Sequence, residues 1–594
     1  MKTSMKMTNL DIAEVLRDVA ASYQLQDANK YKFQIIAYQR AADAVEHATS
    51  ELRDLWEEGK LEEVAGIGKS ISEHLSEIFK TGRSKHFDEL SKDIPPIVFE
   101  MMKIPGIGVK TASKLAHELG IKSLADLKKA AETGKIASLE GFGEDSETSI
   151  LKSLTEFEKK APARMLLPYA SEIANEIIDW MKKEKSVSRI DTLGSLRRQV
   201  STIGDIDFSV ASSDPDKAID HFTKYPKATR VLEKGERTAA IILPGNIHVD
   251  LMAVKPGTYG SLLQHFTGSK HHNVALREYA LKKKLSLSDY GIYTVKGEKK
   301  TLKDIGTEEE FYKFIGMDWI PPELREDGGE IEAALNHKLP KLVELSDIKG
   351  DLQIHSDYDI ETSHDLGSSS MKDIVKRAIE LKYEYVAFTE HNPSKSKHTE
   401  KRIVELLKGK RETVDKLNYS IVKSMKSGVF KVFNSLEIDI MPDGKLPVPP
   451  EGLATLDFAL VSIHSSFDLP RDKMTERVLT AFNNPKVKIF AHPTGRKLNE
   501  RASVDLDWEK IFEAALSKNI WIEINADPAR LDLPDILVHE AVKKGIMMTL
   551  GTDSHHVDGM NNMKWGVSVA RRGWAEKKNI INTLTLKEFE SKLS

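Results

Sequence analysis

Cysteine is absent from all 594 residues. That excludes disulfides, thiolate zinc sites and a cysteine nucleophile. Any metal must therefore sit on His, Asp, Glu or backbone oxygens. Long apolar runs are also absent: no stretch approaches the roughly 18 apolar residues that a membrane span requires. The N-terminus has Lys2 and Lys6 but no apolar core behind them, so neither a secretory signal nor a membrane partner is expected, and the expected setting is cytoplasmic. Charge of one sign is lacking as well. The balance of 87 basic against 91 acidic residues leaves −4, which does not advertise a nucleic-acid binder. The total excludes little, because carboxylates gathered at metal sites mask a basic groove elsewhere. The length implies several domains, and 40% hydrophobic with 30% charged residues describes a globular chain.

What is present centres on Gly194-Ser195-Leu196-Arg197-Arg198, followed closely by Gly204-Asp205-Ile206-Asp207. Strand residues alternate faces, so Asp205 and Asp207 point one way and Ile206 into the core. Two carboxylates side by side repel each other unless a cation lies between them, and magnesium suits them because it takes hard oxygen ligands and leaves room for phosphates. Gly194-Ser195 offers a tight turn, an amide and a hydroxyl, and Arg198 a planar fork that matches phosphate oxygens. The run Ala239–Leu243, the turn Pro244-Gly245-Asn246 and the run Ile247–Met252 predict a hairpin that carries a third carboxylate, Asp250. A lone Asp-x-Asp is usually a solvated strand edge. A triad of Asp205, Asp207 and Asp250 beside a phosphate grip instead suits two metals clamping an in-line phosphoryl displacement.

Upstream, apolar spacing predicts helices from about residue 10 to 90. Within and beyond them lie Val64-Ala65-Gly66-Ile67-Gly68-Lys69, Ile104-Pro105-Gly106-Ile107-Gly108-Val109-Lys110 and a weaker Leu139-Glu140-Gly141-Phe142-Gly143-Glu144. Each is helix, Gly-apolar-Gly turn, helix, and the turn presents free amides of the second helix to an anion. Gly66, Gly68, Gly106, Gly108 and Lys110 are thus candidates for holding nucleic-acid backbone phosphates without reading sequence. The third copy lacks the Lys and is expected to be structural. A linker is expected around Lys159-Lys160-Ala161-Pro162-Ala163, ahead of a helix from Leu167 to Lys183.

Beyond Asp250, Phe266-Thr267-Gly268-Ser269 predicts a turn, after which Asn273 and Arg277 lie four apart on a helix and share a surface. Such amide and guanidinium groups suit the acceptors of a base edge; a capped surface helix is the plainer reading. From Leu345 short strands alternate with helices, predicting a parallel, barrel-like α/β domain. His355, Glu390-His391, Glu437, His464, His492, Asp553 and His555 follow successive strands. Barrel active sites sit at such strand ends, and this donor set suits two or three manganese, zinc or iron ions.

These motifs resemble those of the family X DNA polymerases of the DNA polymerase beta type, over roughly residues 1–320. The remainder, from about 346 to 594, resembles a polymerase-and-histidinol-phosphatase (PHP) domain through Thr389-Glu390-His391, Val461-Ser462-Ile463-His464-Ser465, Ala491-His492-Pro493 and Thr552-Asp553-Ser554-His555. The order of the two halves is that of the bacterial and archaeal PolX enzymes. The resemblance implies a multidomain α/β chain: helical helix-hairpin-helix domains at 1–92 and 93–160, a nucleotidyltransferase palm with a mixed sheet at 161–255, a nucleotide-selecting thumb at 256–322, a linker at 323–345 and a distorted (β/α)7-type PHP barrel at 346–594. It implies a monomeric repair polymerase that fills short gaps, with gapped or primed DNA and dNTPs as partners. Asp205, Asp207 and Asp250 would hold two Mg2+ or Mn2+ ions and carry catalysis. Ser195, Arg198 and Gly204 would hold the β- and γ-phosphates, Phe266 and Gly268 the sugar, and Asn273 and Arg277 the minor-groove side. The turn at Gly66-Ile67-Gly68 would hold the strand downstream of a gap, and that at Gly106-Ile107-Gly108 the primer strand. In the PHP half, His355, His391, Glu437, His464, His492, Asp553 and His555 would bind Mn2+, Zn2+ or Fe2+ for phosphoester cleavage, usually as a 3′-to-5′ exonuclease.

Three departures qualify the resemblance. His74 stands where eukaryotic members place the Schiff-base lysine of a lyase, and imidazole forms no such imine, so lyase activity is not expected. His265 replaces a tyrosine beside the nucleotide sugar, which leaves sugar discrimination open. Gln353 replaces the first His of a His-x-His pair, with Asp357, Asp359 and His364-Asp365 nearby; an amide is the poorer ligand, so fewer ions or weaker binding are expected. The alternatives are a nucleotidyltransferase with another acceptor, a DNA-binding scaffold with a degenerate, structural PHP half, and a PHP half acting on small phosphate esters.

Overall fold

The computed structural model describes residues 7, 9–46, 52–57, 59, 61–64, 66–104, 106–158, 164–296, 299–424 and 430–593. The expected linker at 159–163 lies outside them. The chain divides into two compact units, Met1–Ala163 with Pro244–Ile247, and Arg164–Leu243 with His248–Ser594.

The described part of 1–163 is helical, and its apolar periodicity builds two cores. Ile12, Leu16, Val19, Tyr38, Leu75 and Ile78 form one; Val98, Met101, Ile104, Leu115, Leu127 and Leu154 form the other. The helix Lys69–Thr81 illustrates the logic. Its buried Ile71, Leu75 and Ile78 fall on one face, and it stops where left-handed Gly82 donates its amide to Ile78 O.

The second unit opens with a five-stranded mixed sheet in the order Val187–Thr192, Ile206–Ser212, Ile247–Val254, Thr238–Leu243 and Arg230–Lys234. Its central pair is parallel, with Asp207 in register opposite Asp250. Along Ile247–Val254 buried Ile247, Val249, Leu251 and Ala253 alternate with half-buried His248, Asp250 and Met252, so the pleat turns the carboxylate outward. The helices Tyr259–Thr267 and Lys270–Lys282 follow, then a three-stranded antiparallel sheet and the helix Glu308–Ile315. The stretch expected as a linker is packed rather than free. It carries the helix Glu330–Leu335, and its Leu324, Ala334 and Leu342 share a core with Phe311, Tyr312 and Ile320. Arg325 is fully buried there, donating to Glu308 Oε1 at 2.6 Å, while Arg197 donates to both oxygens of the same carboxylate at 2.5 and 2.9 Å.

From Gly350 onward the strands are parallel and nearly all fully buried, as strands covered on both faces must be. Three pair as Gly350–Ile354, Tyr385–Phe388 and Lys431–Asn434, and five as Glu437–Asp439, Ala459–Ser462, Val487–Phe490, Trp521–Asn525 and Met548–Gly551. Parallel bridges His391–Glu437 and Ile354–Ser554 tie the two groups at both ends. Phe589 from the last helix stacks on Tyr385 with centroids 4.6 Å apart.

Glu308 faces two guanidiniums, that of fully buried Arg325 and that of half-buried Arg197. Burial raises its value, but Arg325 and Arg197 outweigh that and hold it down to about 2. A depressed carboxylate stabilises the fold above its unfolded value and loses that contribution as pH falls towards 2. Glu308→Gln strands both cations and is expected to cost roughly 3–5 kcal/mol at neutral pH. A thermal melt of the variant at pH 7 checks this, with the gap to the parent closing towards pH 2.

Candidate functional site

The first site is built on the central strand pair. Asp207 and Asp250 face each other across the ladder, and one oxygen from each, with one from Asp205, lies within 4.8 Å of the others. Burial pushes Asp207 up to about 7, with Asp205 and then Asp250 adding repulsion and Arg198 drawing it back. Asp250 is raised by burial and by Asp205. Three carboxylates crowded against their own repulsion are a donor set that a divalent cation fits.

The short helix Gly194–Arg197 brings backbone against this cluster. Gly194 has φ +54°, and a Cβ there would lie 2.5 Å from Asp207 Oδ2, so only glycine lets chain and carboxylate approach this closely. Ser195 is buried beside it. Gly204 is exposed, with Arg164 Nη1 3.2 Å from where its Cβ would be. Arg198 is not a free phosphate hook. It is 7% exposed, its Nη1 donates to Thr267 O at 2.6 Å and its Nε to Glu326 at 2.9 Å.

Gly268 adopts φ +69° at the end of the helix Tyr259–Thr267, with Phe266 half-buried before it. Ser269 Oγ caps the next helix at His272 N, 3.3 Å away. Asn273 and Arg277 share a surface, and that surface contains His265. Asn273 Nδ2 donates to His265 O at 2.6 Å, and Arg277 Nη2 lies 3.4 Å from His265 Nδ1. Burial first and Arg277 second lower the His265 imidazole, favouring its neutral form.

The hairpin turns of the N-terminal unit share one backbone form. Gly66, Gly106 and Gly141 have φ of 93°, 87° and 85°. The apolar residue after each donates three residues back: Ile67 to Val64, Ile107 to Ile104 and Phe142 to Leu139. Ile67 and Ile107 are buried, while Gly66, Gly68, Gly106, Gly108 and Lys110 are exposed. Gly68 and Gly108 stand at the N-caps with no side chain capping the amides behind them. The third turn has the same backbone but opens its helix with Glu144-Asp145.

In the C-terminal half the strand ends converge on Glu437. Its carboxylate receives Gln353 Nε2 at 2.9 Å and lies 2.8 Å from His492 Nε2, 3.2 Å from His464 Nε2, 3.3 Å from His355 Nε2 and 3.6 Å from His391 Nδ1. His355, His391 and His555 form one group of donor atoms within 4.8 Å; His355, Glu437 and Asp553 form another, and His391, Glu437 and His464 a third. Both ring nitrogens of His355, Nδ1 of His391 and of His492, and Nε2 of His555 are buried with no hydrogen-bond partner. Orphaned imidazole nitrogens aimed at carboxylates are what a metal cluster satisfies, so these residues fit such ions. Burial opposes the charge on Glu437, yet the surrounding imidazoles, His391 foremost, hold its carboxyl well below the ordinary range.

Asp439 escaped the sequence reading. Its Oδ1 lies 2.7 Å from His464 Nδ1, and it also meets His364 Nε2 at 3.2 Å, making a further donor group of His364, Asp439 and His464. The signal was present in Glu437-Ile438-Asp439, the same alternation as Asp205-Ile206-Asp207. Asp365, beside His364, lies 3.6 Å from His391 and 3.5 Å from His555. Glu390, by contrast, is spent on Lys410 and Ser356.

Residues 262–326 match the DNA polymerase beta thumb, 7–84 a helix-hairpin-helix domain and 98–156 a SAM-like helix-hairpin-helix tandem. Helix-hairpin-helix domains ahead of such a thumb place the chain among the DNA polymerases of the beta type. It is 34% identical over 587 residues to the DNA polymerase/3′-5′ exonuclease PolX of Bacillus subtilis (strain 168), spanning 98% of this chain and 99% of that protein. The chain belongs to this PolX family of family X DNA polymerases. DNA polymerase lambda of Rattus norvegicus is 24% identical over 54% of this chain and 58% of its own length; that of Arabidopsis thaliana is 23% identical over 53% and 62%.

The raised Asp207 gives a measurable consequence. A carboxyl raised in the fold destabilises it once ionised, so the ion-free protein gains stability as pH falls from about 7 towards 4. Asp207→Asn is expected to raise the melting temperature in chelator at pH 8 by a few degrees. It should also abolish the added stability that millimolar Mn2+ gives the parent through this site. A melt series with and without Mn2+ checks both.

Proposed function

We propose that this chain is a DNA-directed DNA polymerase that fills short gaps during repair, joined to a metal-dependent 3′-to-5′ exonuclease of the PHP type. The polymerase reading rests on Asp207 in register opposite Asp250, with Asp205 alongside and Gly194-Ser195 against them. Asp205, Asp207 and Asp250 would hold two divalent ions, Mg2+ or Mn2+, which supply charge stabilisation for attacking and leaving oxygens. Ser195, Gly204 and Arg198 grip the β- and γ-phosphates; with its Nε and Nη1 anchored, Arg198 offers its remaining N–H groups in a fixed direction. Phe266 and Gly268 line the sugar. Asn273 and Arg277 face the minor-groove side around His265, whose neutral ring offers no charge there. The exposed turns at Gly66-Ile67-Gly68 and Gly106-Ile107-Gly108, the latter with Lys110, hold backbone phosphates of the downstream and primer strands.

For residues 346–594 the proposal is a distorted seven-stranded PHP barrel, counting Lys431–Asn434 and Glu437–Asp439 as one interrupted strand. His355, His391, Glu437, His464, His492, Asp553 and His555 would hold Mn2+, Zn2+ or Fe2+. Gln353 keeps Glu437 in place by donating to it, and its own carbonyl accepts from Asn525 at 3.3 Å. The amide thus substitutes a hydrogen bond for a ligand, which supports a centre with fewer ions that is still assembled.

One gel tests both halves, using a 5′-labelled primer on a one-nucleotide gap with Mn2+. Extension with dNTPs should fall about 1,000-fold or more in Asp250→Ala. Shortening without dNTPs should be lost in His464→Ala or His492→Ala while extension persists; shortening unaffected by both would remove the nuclease from this centre. No primer change in the parent would move the reading to another acceptor. A separate trap addresses His74, whose ring stacks on His86 at 4.4 Å with its value lowered by burial and by that neighbour. Borohydride on an abasic 5′-phosphate substrate should yield no covalent adduct, and a strong adduct would overturn that expectation.

A further inference from the structure

We propose that Arg572, in the C-terminal half, is a positioning residue for nucleotide binding by the polymerase half, acting through Glu326 on Arg198. This rests on the reading of Arg198 as part of the phosphate grip. Four charged groups form an alternating chain. Asp535 Oδ2 accepts from Arg572 Nε at 2.7 Å, and Arg572 Nη1 donates to Glu326 Oε1 at 3.0 Å. That same Glu326 oxygen accepts from Arg198 Nε at 2.9 Å. Arg572 Nη1 also reaches the backbone carbonyl of Arg198 at 2.7 Å, so it holds both the chain and the partner of one residue. Arg572 lies on the helix Met563–Arg572, more than three hundred residues from Arg198, and is 8% exposed.

The consequence is conformational. A free arginine samples many rotamers and must surrender them when it grips a phosphate. Here the anchor at Glu326, itself held by Arg572, removes that freedom before the nucleotide arrives. Losing the anchor should weaken the ground state of nucleotide binding and leave the reacting carboxylates untouched, so KM should move and kcat should not. Arg571 provides the contrast. It neighbours Arg572 on the same helix and joins the same intervening segment, through Glu323 at 2.8 Å and Val343 O at 3.1 Å, without touching Arg198.

Steady-state gap filling with the full chain tests this. Arg572→Gln is expected to raise the KM for dNTP about 10-fold with kcat within about 2-fold. Arg572→Lys should recover part of the loss, and Arg571→Ala should leave both constants unchanged. Combined with Arg198→Ala, Arg572→Gln should add little further, because both act on one contact. Glu326→Gln, which keeps Arg572 and its bond to Asp535, should reproduce the KM rise if Arg572→Gln does not fold. Equal losses in Arg571→Ala and Arg572→Gln, or a fall in kcat with KM unmoved, would reduce the chain to interface stability and overturn the proposal. If Arg198→Ala leaves KM unchanged, the phosphate-grip reading itself fails. If Arg198→Ala raises KM while Arg572→Gln and Glu326→Gln do not, only this inference fails.

Discussion

The carboxylate site on the central strand pair depends on holding like charges together against burial and mutual repulsion, which Arg198 offsets only in part. Two pairs of the protein's carboxylates show the contrast. Glu308 lies between Arg197 and Arg325, and Glu390 against Lys410 and Ser356; both are buried, matched and depressed below the ordinary range. Asp207 and Asp250 are placed in register on neighbouring strands and raised above it. A buried charge without a partner is costly unless something outside the chain completes it. Glu308 and Glu390 thus brace the fold, while Asp207 and Asp250 form with Asp205 a donor set that a divalent cation would complete. Gly194 belongs to this arrangement, since a Cβ there would meet Asp207 Oδ2 at 2.5 Å and displace that carboxylate.

The C-terminal centre obeys the same constraint with the signs mixed. Glu437 is its hub, and the imidazoles around it come from the ends of successive strands, so no local segment builds the cluster. Stacking of His355 on His391 and His555, with centroids 4.6 and 4.3 Å apart, crowds donor nitrogens that cannot all be satisfied by carboxylates. Gln353 fits within this logic. It cannot donate an imidazole lone pair, but its amide bridges Glu437 and Asn525 and keeps the hub oriented. On the proposed reading, Gln353 would give up a ligand while keeping its place in the network.

The features legible in the sequence were those written locally. Gly-Ser ahead of Asp-x-Asp, the repeated Gly-apolar-Gly turns and the histidines at strand ends are each set by a few adjacent residues and a fixed period. What stayed hidden is set by distance along the chain. Nothing near Arg198 announces Glu326 or Arg572, and nothing near Glu308 announces Arg197, because an ion pair between remote segments imposes no spacing. The segment 323–345, which the resemblance marks as a linker, is packed instead, and its Glu326, Arg325 and Glu330 are the partners of buried charges. Asp439 differs, since its alternation with Glu437 is readable in Glu437-Ile438-Asp439.

The three hairpins show where backbone geometry stops being sufficient. Their glycines share one dihedral range and their turns one hydrogen bond, so by conformation alone all three present helix amides to an anion. The first two open their helices with Lys69-Ser70 and Val109-Lys110, the third with Glu144-Asp145. Acidic residues in the first turn complement the helix dipole and take up the field that a phosphate would otherwise meet. The third turn thus gains helix stability from acidic residues that would repel a phosphate, while the first two leave their amides without a side-chain cap and carry Lys69 and Lys110 beside them. On the proposed reading, phosphate binding would be set by the residues after the second glycine, with the turn as the frame that aims them.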